Sequence, residues 1–238
     1  MLYIIGLGLD RRGISQHGLE VLKRCKKVYL ENYTVDFPYT KQDLGEIIEK
    51  DIISVDRDFV ESLSFVDEAS RKDVALLVYG SPLSATTHIT IVDECKKSGV
   101  KCKVLYAASV FDAVAGTGLQ LYKFGKVASM PAWKENYTPD SFMEIVKENQ
   151  SIKAHSLILI DIGLDISIAF EQLKEAAAKH KIPLKKMVLC QALGTGKSKV
   201  FYKTLKELEE FTSVRKPYCF IIPGGLHFAE KEFLNGFE

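Results

Sequence analysis

The 238-residue sequence has no excess of charge of either sign. Its 32 basic and 31 acidic residues give a formal net charge of +1, so its composition predicts no binding to nucleic acid or to membranes. It also lacks a long apolar run, because Gly6 and Gly8 interrupt the stretch from Leu2 to Leu9, which is too short to cross a bilayer. No basic leader or cleavage site accompanies that stretch, so we expect a buried first strand and a cytoplasmic protein.

Paired cysteines are also missing. The cysteines are odd in number, are scattered along the chain and form no C-x-x-C pair. No histidine lies four residues from another histidine, aspartate or glutamate. We therefore expect inert thiols in a reducing compartment, with no disulfide framework and no metal site.

Apolar runs alternate with helical stretches along the whole chain. Runs such as LILIDI and CFIIP are continuously apolar, which is typical of strands covered on both faces. The alternation predicts an α/β protein with largely parallel or mixed sheets. Strands are predicted at Leu2–Gly6, Lys27–Glu31, Asp51–Val55, Val74–Val78, Lys101–Tyr106, Lys126–Met130, Ser156–Ile162, Lys186–Gln191 and Tyr218–Pro223. Helices are predicted at 15–25, 40–49, 60–71, 87–98, 109–119, 138–148, 166–180 and 200–211.

Two local signals mark the ends of predicted helices. Thr138 before Pro139 is a good N-cap with proline at the first helical position, and Gly99 is a suitable C-terminal stop. The chain divides most naturally after the fifth strand, into an N-terminal α/β domain at 1–107 and a C-terminal α/β domain at 108–238. We expect a ligand-binding cleft between the two domains.

Two glycine-rich motifs fail as nucleotide-binding signatures. GLGLDR has Arg11 where a dinucleotide-binding fingerprint needs its third glycine. GTGKS at 194–198 has Gln191 where a phosphate-binding loop needs its first glycine, which favours a structural loop between a strand and a helix. No G-x-S-x-G motif or Ser-His-Asp set is present. His88 is the one histidine whose position points to function.

The most informative motif is YGSPLSATTH, from Tyr79 to His88. It follows the buried strand Val74–Val78, and Gly80 and Pro82 mark a turn. Hydroxyl residues then open the next predicted helix: Ser84, Thr86 and Thr87. A strand that ends in such a turn can present backbone groups to a small polar ligand.

Five motifs in order resemble the diphthine synthases, more closely the eukaryotic than the archaeal ones. They are GLGL at 6–9, GSPLSATTH, AASVFDAV at 107–114, GLQLYKFG at 118–125, and LILIDI with the late IIPGGLH. The resemblance implies the tetrapyrrole-methylase-like fold of two α/β domains, homodimers, and S-adenosylmethionine folded in the cleft between domains. It also implies methylation of the modified histidine of translation elongation factor 2, on the path to diphthamide.

The same resemblance assigns cofactor contacts at eight positions. Most are small or apolar residues, whose backbone groups can hold a nucleoside while apolar walls keep water from the sulfonium. Methyl transfer from a sulfonium mainly requires that the acceptor and the methyl group are aligned and that competing water is excluded. A dedicated base is not required, so no catalytic residue is assigned. The implied contacts are Leu9, Ser81, Ser84, Ser109, Val110, Ile160, Leu193 and Tyr218.

One departure from the family pattern concerns Ser81, because diphthine synthases usually have aspartate there. It suggests one alternative to an active enzyme, a weakened relative that only binds elongation factor 2. A second alternative, independent of Ser81, is a small-molecule methyltransferase of the same fold. The family also has an acidic-aromatic-threonine segment like Glu31, Tyr33 and Thr34, for which a role facing the acceptor or simple strand-end packing are both open.

Overall fold

The computed structural model describes residues 1–238 and divides them into two compact units. The first unit comprises Met1–Ala113 with the short segment Gly194–Gly196, and the second comprises Val114–Leu193 and Lys197–Glu238. The main boundary along the chain therefore falls after Ala113, whereas the sequence interpretation divided the chain after Ala107. None of the helices combines the length and the apolar character that a bilayer crossing requires.

The first unit is built on a fully parallel five-stranded sheet. Its strand order is β3-β2-β4-β1-β5, and every pairing is parallel. Strands β1 and β4 are buried at every position, as their continuous apolar sequences predict. The strands are β1 (Leu2–Gly6), β2 (Lys27–Glu31), β3 (Ile53–Val55), β4 (Val74–Val78) and β5 (Cys102–Leu105).

Helices cover both faces of this sheet. Helices α1 (Gln16–Arg24) and α2 (Lys41–Ile48) pack on the face that carries Ile5 and Leu77. The opposite face carries Ile4 and Leu76 and packs against α3 (Arg57–Ser62), α4 (Ser64–Ala69) and α5 (Ile89–Lys97). The neighbouring strands β1 and β4 therefore lead into helices on opposite faces. In parallel sheets, ligands bind at the carboxyl ends of such strands.

The second unit holds a mixed five-stranded sheet of order β6-β7-β10-β8-β9. Only β6 and β7 run parallel, and the other three pairings are antiparallel. Its core includes the stacked rings of Phe170 and Phe220. After α6 (Val110–Ala113) the elements are β6 (Ala128–Met130), α7 (Ser141–Ser151), β7 (Ser156–Ile160), α8 (Ile166–Lys179), β8 (Lys186–Gln191), β9 (Lys199–Thr204), α9 (Leu205–Leu208), β10 (Tyr218–Ile222) and α10 (Phe228–Asn235).

These two sheets with their helices confirm the predicted α/β class and mixed strand directions. All nine predicted strands are present, with ends that shift by up to two residues. The stop at Gly99 is confirmed as well: Gly99 follows the cap of α5 and has a φ of +68°.

Several predicted helices differ from the structure. The predicted helix at 200–211 is wrong, because strand β9 occupies most of it and only the short helix α9 follows. The predicted helix at 60–71 is two helices, separated by Leu63 in the left-handed conformation. The predicted start at Thr138 is also wrong, because α7 is preceded by Asp140 as its N-cap. Helix α10 was not predicted.

Candidate functional site

The loops that follow β1 and β4 are joined at the carboxyl edge of the first sheet. The backbone N–H of Gly8 donates to the carbonyl of Gly80 at 3.1 Å, and Gly80 donates back to Gly8 at 3.0 Å. Both glycines have positive φ values, +68° and +67°, a conformation that residues with a Cβ rarely adopt. The glycines of GLGL and YGSP therefore fix the two loops to each other.

A third loop meets them at Gly6. A Cβ atom added to Gly6 would lie 2.7 Å from the carbonyl oxygen of Gly80, 2.9 Å from the Cβ of Ala107 and 3.0 Å from the Cδ of Pro82. The chain after β5 thus approaches the other two loops closely. We call the edge formed by residues 6–9, 80–84 and 107–110 the rim.

We expect Gly6→Ala to damage the rim. Because the added methyl group would meet backbone and ring atoms that cannot easily move, the free energy of unfolding should fall by about 1–3 kcal/mol. Gly45→Ala is the matched control, since nothing lies within 4 Å of an added Cβ there and the position is inside α2. Thermal unfolding of both variants measures the difference. A Gly6→Ala protein as stable as the wild type would contradict the close packing of the rim.

Five of the eight residues assigned by resemblance lie on the rim. Leu9, Ser81 and Ser109 are buried, with 7%, 8% and 5% exposure, while Ser84 and Val110 are half-buried. The structure therefore brings these five together at one sheet edge.

The hydroxyl of Ser109 is already used within the rim. It donates to the carboxylate of Asp112 at 3.0 Å and accepts from the backbone N–H of Phe111 at 3.2 Å. It therefore caps the start of α6. Its backbone N–H also donates to the carboxylate of Asp112 at 2.7 Å, and its carbonyl accepts from the N–H groups of Asp112 and Ala113 at 3.1 Å. The polar groups of Ser109 are therefore already paired, and the residue shapes the rim.

The turn from Ser81 to His88 is held around the carbonyl of Pro82. This oxygen accepts from the Thr86 hydroxyl at 2.6 Å and from Nδ1 of His88 at 3.1 Å. The sequence predicted that the hydroxyl residues open the helix. Because α5 begins only at Ile89, these residues lie in the turn before it.

His88 is a neutral residue that locks this turn. It is 2% exposed. Burial lowers the pKa of its imidazole, and this effect outweighs the hydrogen bond to Pro82, which acts to raise that pKa. Because Nδ1 carries the donated proton, Nε2 is the unprotonated nitrogen, and it has no hydrogen-bond partner. The structure thus gives the one histidine singled out from the sequence a role in shaping the rim.

The remaining three assigned residues share one edge of the second sheet. Strand β10 lies between β8 and β7: its first residue, Tyr218, pairs with Gln191 of β8, and its second residue, Cys219, pairs with Leu159 of β7. Ile160, at the end of β7, and Leu193, just past the end of β8, therefore lie at the same edge as Tyr218. The Tyr218 hydroxyl donates to the carbonyl of Leu164 at 3.0 Å, so this hydroxyl serves the fold.

Gly194, the first residue of GTGKS, lies against Leu9 of the rim, and the motif does not form a phosphate-binding loop. A Cβ added to Gly194 would be 2.7 Å from the Cβ of Leu9, and Gly194 has a φ of +75°. The loop leads into strand β9, so it has no helix N-terminus to offer an anion. Its glycine allows the close approach to Leu9.

The motifs GLQLYKFG and IIPGGLH meet in a buried charge cluster of the second unit, which local spacing did not reveal. The carboxylate of Glu230 is 1% exposed and contacts the ammonium of Lys123. It also accepts from Nε2 of His155 at 3.0 Å and from the backbone N–H of Gln120 and His227.

This cluster ties distant segments together, and burial lowers the pKa of His155 although Glu230 acts to raise it. Nδ1 of His155 accepts from Gly224, so Nε2 carries the proton. Burial alone would raise the pKa of Glu230, but its donors lower that pKa to about 2. With every partner satisfied, the cluster is structural. We find no group of three or more His, Cys, Asp or Glu that could hold a metal ion.

The rim suits a small ligand with both polar and apolar parts. It combines short hydroxyl side chains with the apolar Leu9, and it contains no charged side chain among its five assigned residues. Such a set can hold a nucleoside-like molecule by main-chain hydrogen bonds and exclude water from it.

Comparison with known proteins gives a consistent result along the whole chain. Residues 1–209 match the family described as Tetrapyrrole (Corrin/Porphyrin) Methylases. The diphthine methyl ester synthase of Schizosaccharomyces pombe is 33% identical, covering 100% of this chain and 94% of that protein. The diphthine synthase of Methanocaldococcus jannaschii is 34% identical, covering 99% and 98%. A crystal structure of a diphthine synthase superposes with a TM-score of 0.89 at 32% identity, covering 99% and 95%.

Proposed function

Because this chain belongs to the tetrapyrrole methylase family, we propose that it is a diphthine synthase that transfers methyl groups from S-adenosylmethionine to the modified histidine of translation elongation factor 2. The observation that carries the proposal is the full-length similarity to diphthine synthases at 33–34% identity. We propose further that it acts in the cytoplasm as a homodimer, as the family resemblance implies.

The residues present fit this methyl donor. The rim would contribute Leu9, Ser81, Ser84, Ser109 and Val110, with Ser109 acting through its shape because its hydroxyl and its backbone groups are already paired at the start of α6. Three residues at one edge of the second sheet complete the proposed set: Ile160, Leu193 and Tyr218.

The chain's own contribution to methyl transfer is alignment and the exclusion of water. When bound, the donor supplies a methyl group on a positively charged sulfur, which is an intrinsically good leaving group. The glycine bridge and the Pro82-centred turn keep the rim rigid, so a ligand held by it loses little further freedom on the way to reaction. Such pre-organisation can supply several kcal/mol of the barrier lowering. None of the rim residues is required as a base.

The proposed activity is tested by incubating the protein with elongation factor 2 that carries the diphthamide intermediate and a methyl-labelled donor. We expect label on the modified histidine, located by mass spectrometry of the peptide. Binding of elongation factor 2 without label would identify a non-catalytic relative. Label on a small tetrapyrrole and none on the protein acceptor would overturn the assignment of the substrate.

A further inference from the structure

Two buried polar atoms near the end of β2 have no hydrogen-bond partner. Glu31, the last residue of β2, is 0% exposed. Its Oε1 accepts from the hydroxyl of Thr34 at 2.6 Å, but its Oε2 has no partner. The hydroxyl of Tyr39, farther along the same segment, is also buried and unpartnered. Buried polar groups without partners are rare in native proteins and require a reason.

Glu31 differs from the other fully buried carboxylate, Glu230. Glu230 receives two backbone N–H groups and contacts Lys123 and His155. Glu31 has no cation within ion-pair distance. Burial raises the pKa of its carboxyl group to about 7, although hydrogen bonds from Thr34 and Tyr33 act to lower it. The two glutamates are equally buried, but only one is paired in a way that stabilises the fold.

The segment from Glu31 to Tyr39 reaches the rim. The ring of Phe37 packs against Tyr79 with centroids 5.2 Å apart, and the ring of Tyr39 lies 6.3 Å from the same partner. Tyr79 in turn donates its hydroxyl to the carbonyl of Leu9 at 3.2 Å. The segment thus starts at a buried carboxyl group and ends beside the proposed donor loop, although none of the proposed donor contacts belongs to it.

A cavity of about 150 Å³ lies along this segment in the first unit. Its lining includes Leu30, Asn32, Phe37, Tyr39 and Ser54. Burial raises the pKa of Tyr39 well above its usual range, so its hydroxyl keeps its proton and can donate it to a partner that accepts a hydrogen bond. The cavity therefore combines apolar walls with an unused donor.

We propose that the segment 31–39 receives the methyl acceptor, with Tyr39 donating to an oxygen atom of the acceptor and Glu31 acting as a positioning residue that holds the segment in place. This inference rests on the proposed function, because it names the acceptor side of the same reaction. Glu31 acts through the residues that its carboxyl group holds, Tyr33 and Thr34. Keeping two partnerless polar groups costs stability, which is a common trade-off at functional sites.

The test compares Glu31→Gln and Tyr39→Phe with the wild type, and uses Glu46→Gln on the exposed side of α2 as the control. Three quantities are measured: the KM for elongation factor 2 that carries the intermediate, the dissociation constant of S-adenosylmethionine, and the midpoint of thermal unfolding at pH 5 and pH 8. We expect the KM to rise about tenfold in Tyr39→Phe, which is the usual effect of one lost hydrogen bond, and by less in Glu31→Gln, which keeps an oxygen that can accept from Thr34. Donor affinity should stay unchanged.

Thermal stability separates this role from a purely structural one. Tyr39→Phe removes a partnerless buried hydroxyl, and Glu31→Gln replaces a carboxyl group whose pKa is raised to about 7 by burial with a group that cannot ionise. Neither variant should therefore unfold at a lower temperature, and Glu31→Gln should be more stable than the wild type at pH 8, where the wild-type carboxyl group is charged. Lower unfolding midpoints with an unchanged KM would overturn the proposal, and so would equal losses of donor and acceptor affinity.

Failure of this inference can be told from failure of the proposed function. If the wild type transfers no methyl group, the dissociation constant of elongation factor 2 is measured directly by titration, and the two variants should still bind it more weakly. Unchanged binding in both variants would reject the inference whether or not the wild type is active.

Discussion

Replacing Glu230 with alanine is expected to lower the free energy of unfolding by about 3–5 kcal/mol, the range found when one partner of a buried ion pair is removed. The substitution would leave the ammonium of Lys123 without its buried partner and the Nε2–H of His155 without an acceptor. The backbone N–H groups of Gln120 and His227 would lose their acceptor as well. Denaturant unfolding at pH 7 measures the loss.

The pH dependence gives a second measure of the same carboxylate. The pKa of this carboxyl group is about 2 in the folded protein, well below its ordinary value of 4.5, so folding favours the ionised form. That difference corresponds to stabilisation on the order of 3 kcal/mol. The stabilisation is fully present above pH 4.5 and is lost as the pH falls towards 2. Glu230→Ala should therefore remove much of the fall in stability across this range.

The control for both experiments is Glu232→Ala, on the same helix but exposed. Changes at such surface positions usually stay within about 0.5 kcal/mol. If the Glu230 variant behaved like this control, the buried cluster would not hold the second unit together. The helix content of both variants, followed by circular dichroism, shows whether α10 remains folded.

The strands of the first sheet could be predicted because a parallel sheet covered on both faces leaves a direct mark on its sequence. VALLV and LYIIG are apolar at every position, and the structure buries every one of those residues. Strand β9 left no such mark. Its residues KVFYKT are mostly half-buried, only Tyr202 is buried, and β9 pairs on one side only, with β8. The capping signal of Thr204 and Glu207 marks a helix that begins only at Leu205, after the strand has ended.

The candidate site was predictable where single short motifs carry it. Gly8 and Gly80 mark sharp turns after two buried strands, and the structure joins those turns directly. The Glu230 cluster could not be found in this way, because Lys123 and Glu230 are 107 positions apart and meet only in the folded unit. The sequence likewise shows Glu31 before Thr34, but only the fold shows which carboxylate oxygen has a partner.

Restoring the family's aspartate at Ser81 is expected to strengthen binding of S-adenosylmethionine roughly ten- to a hundredfold. A carboxylate at this position would make a charge-assisted hydrogen bond to the bound donor, which is typically worth about 1.5–3 kcal/mol more than no contact. Ser81 is 8% exposed and lies on the rim directly after Gly80, so the new side chain would be shielded from competing water. Isothermal titration calorimetry of Ser81→Asp and the wild type measures the difference.

The neutral variant Ser81→Asn isolates the contribution of charge, because asparagine matches aspartate in shape. If charge provides the gain, Ser81→Asn should bind the donor much less tightly than Ser81→Asp, and added salt should reduce the difference between the two. Equal affinities of the two variants would show that size alone matters at this position. A weaker Ser81→Asp protein that is still fully folded would mean that the donor does not contact residue 81, which would remove Ser81 from the proposed binding set. Binding of the donor by the rim would then depend on its backbone groups. Leu9 and the Pro82-centred turn would be the next positions to vary.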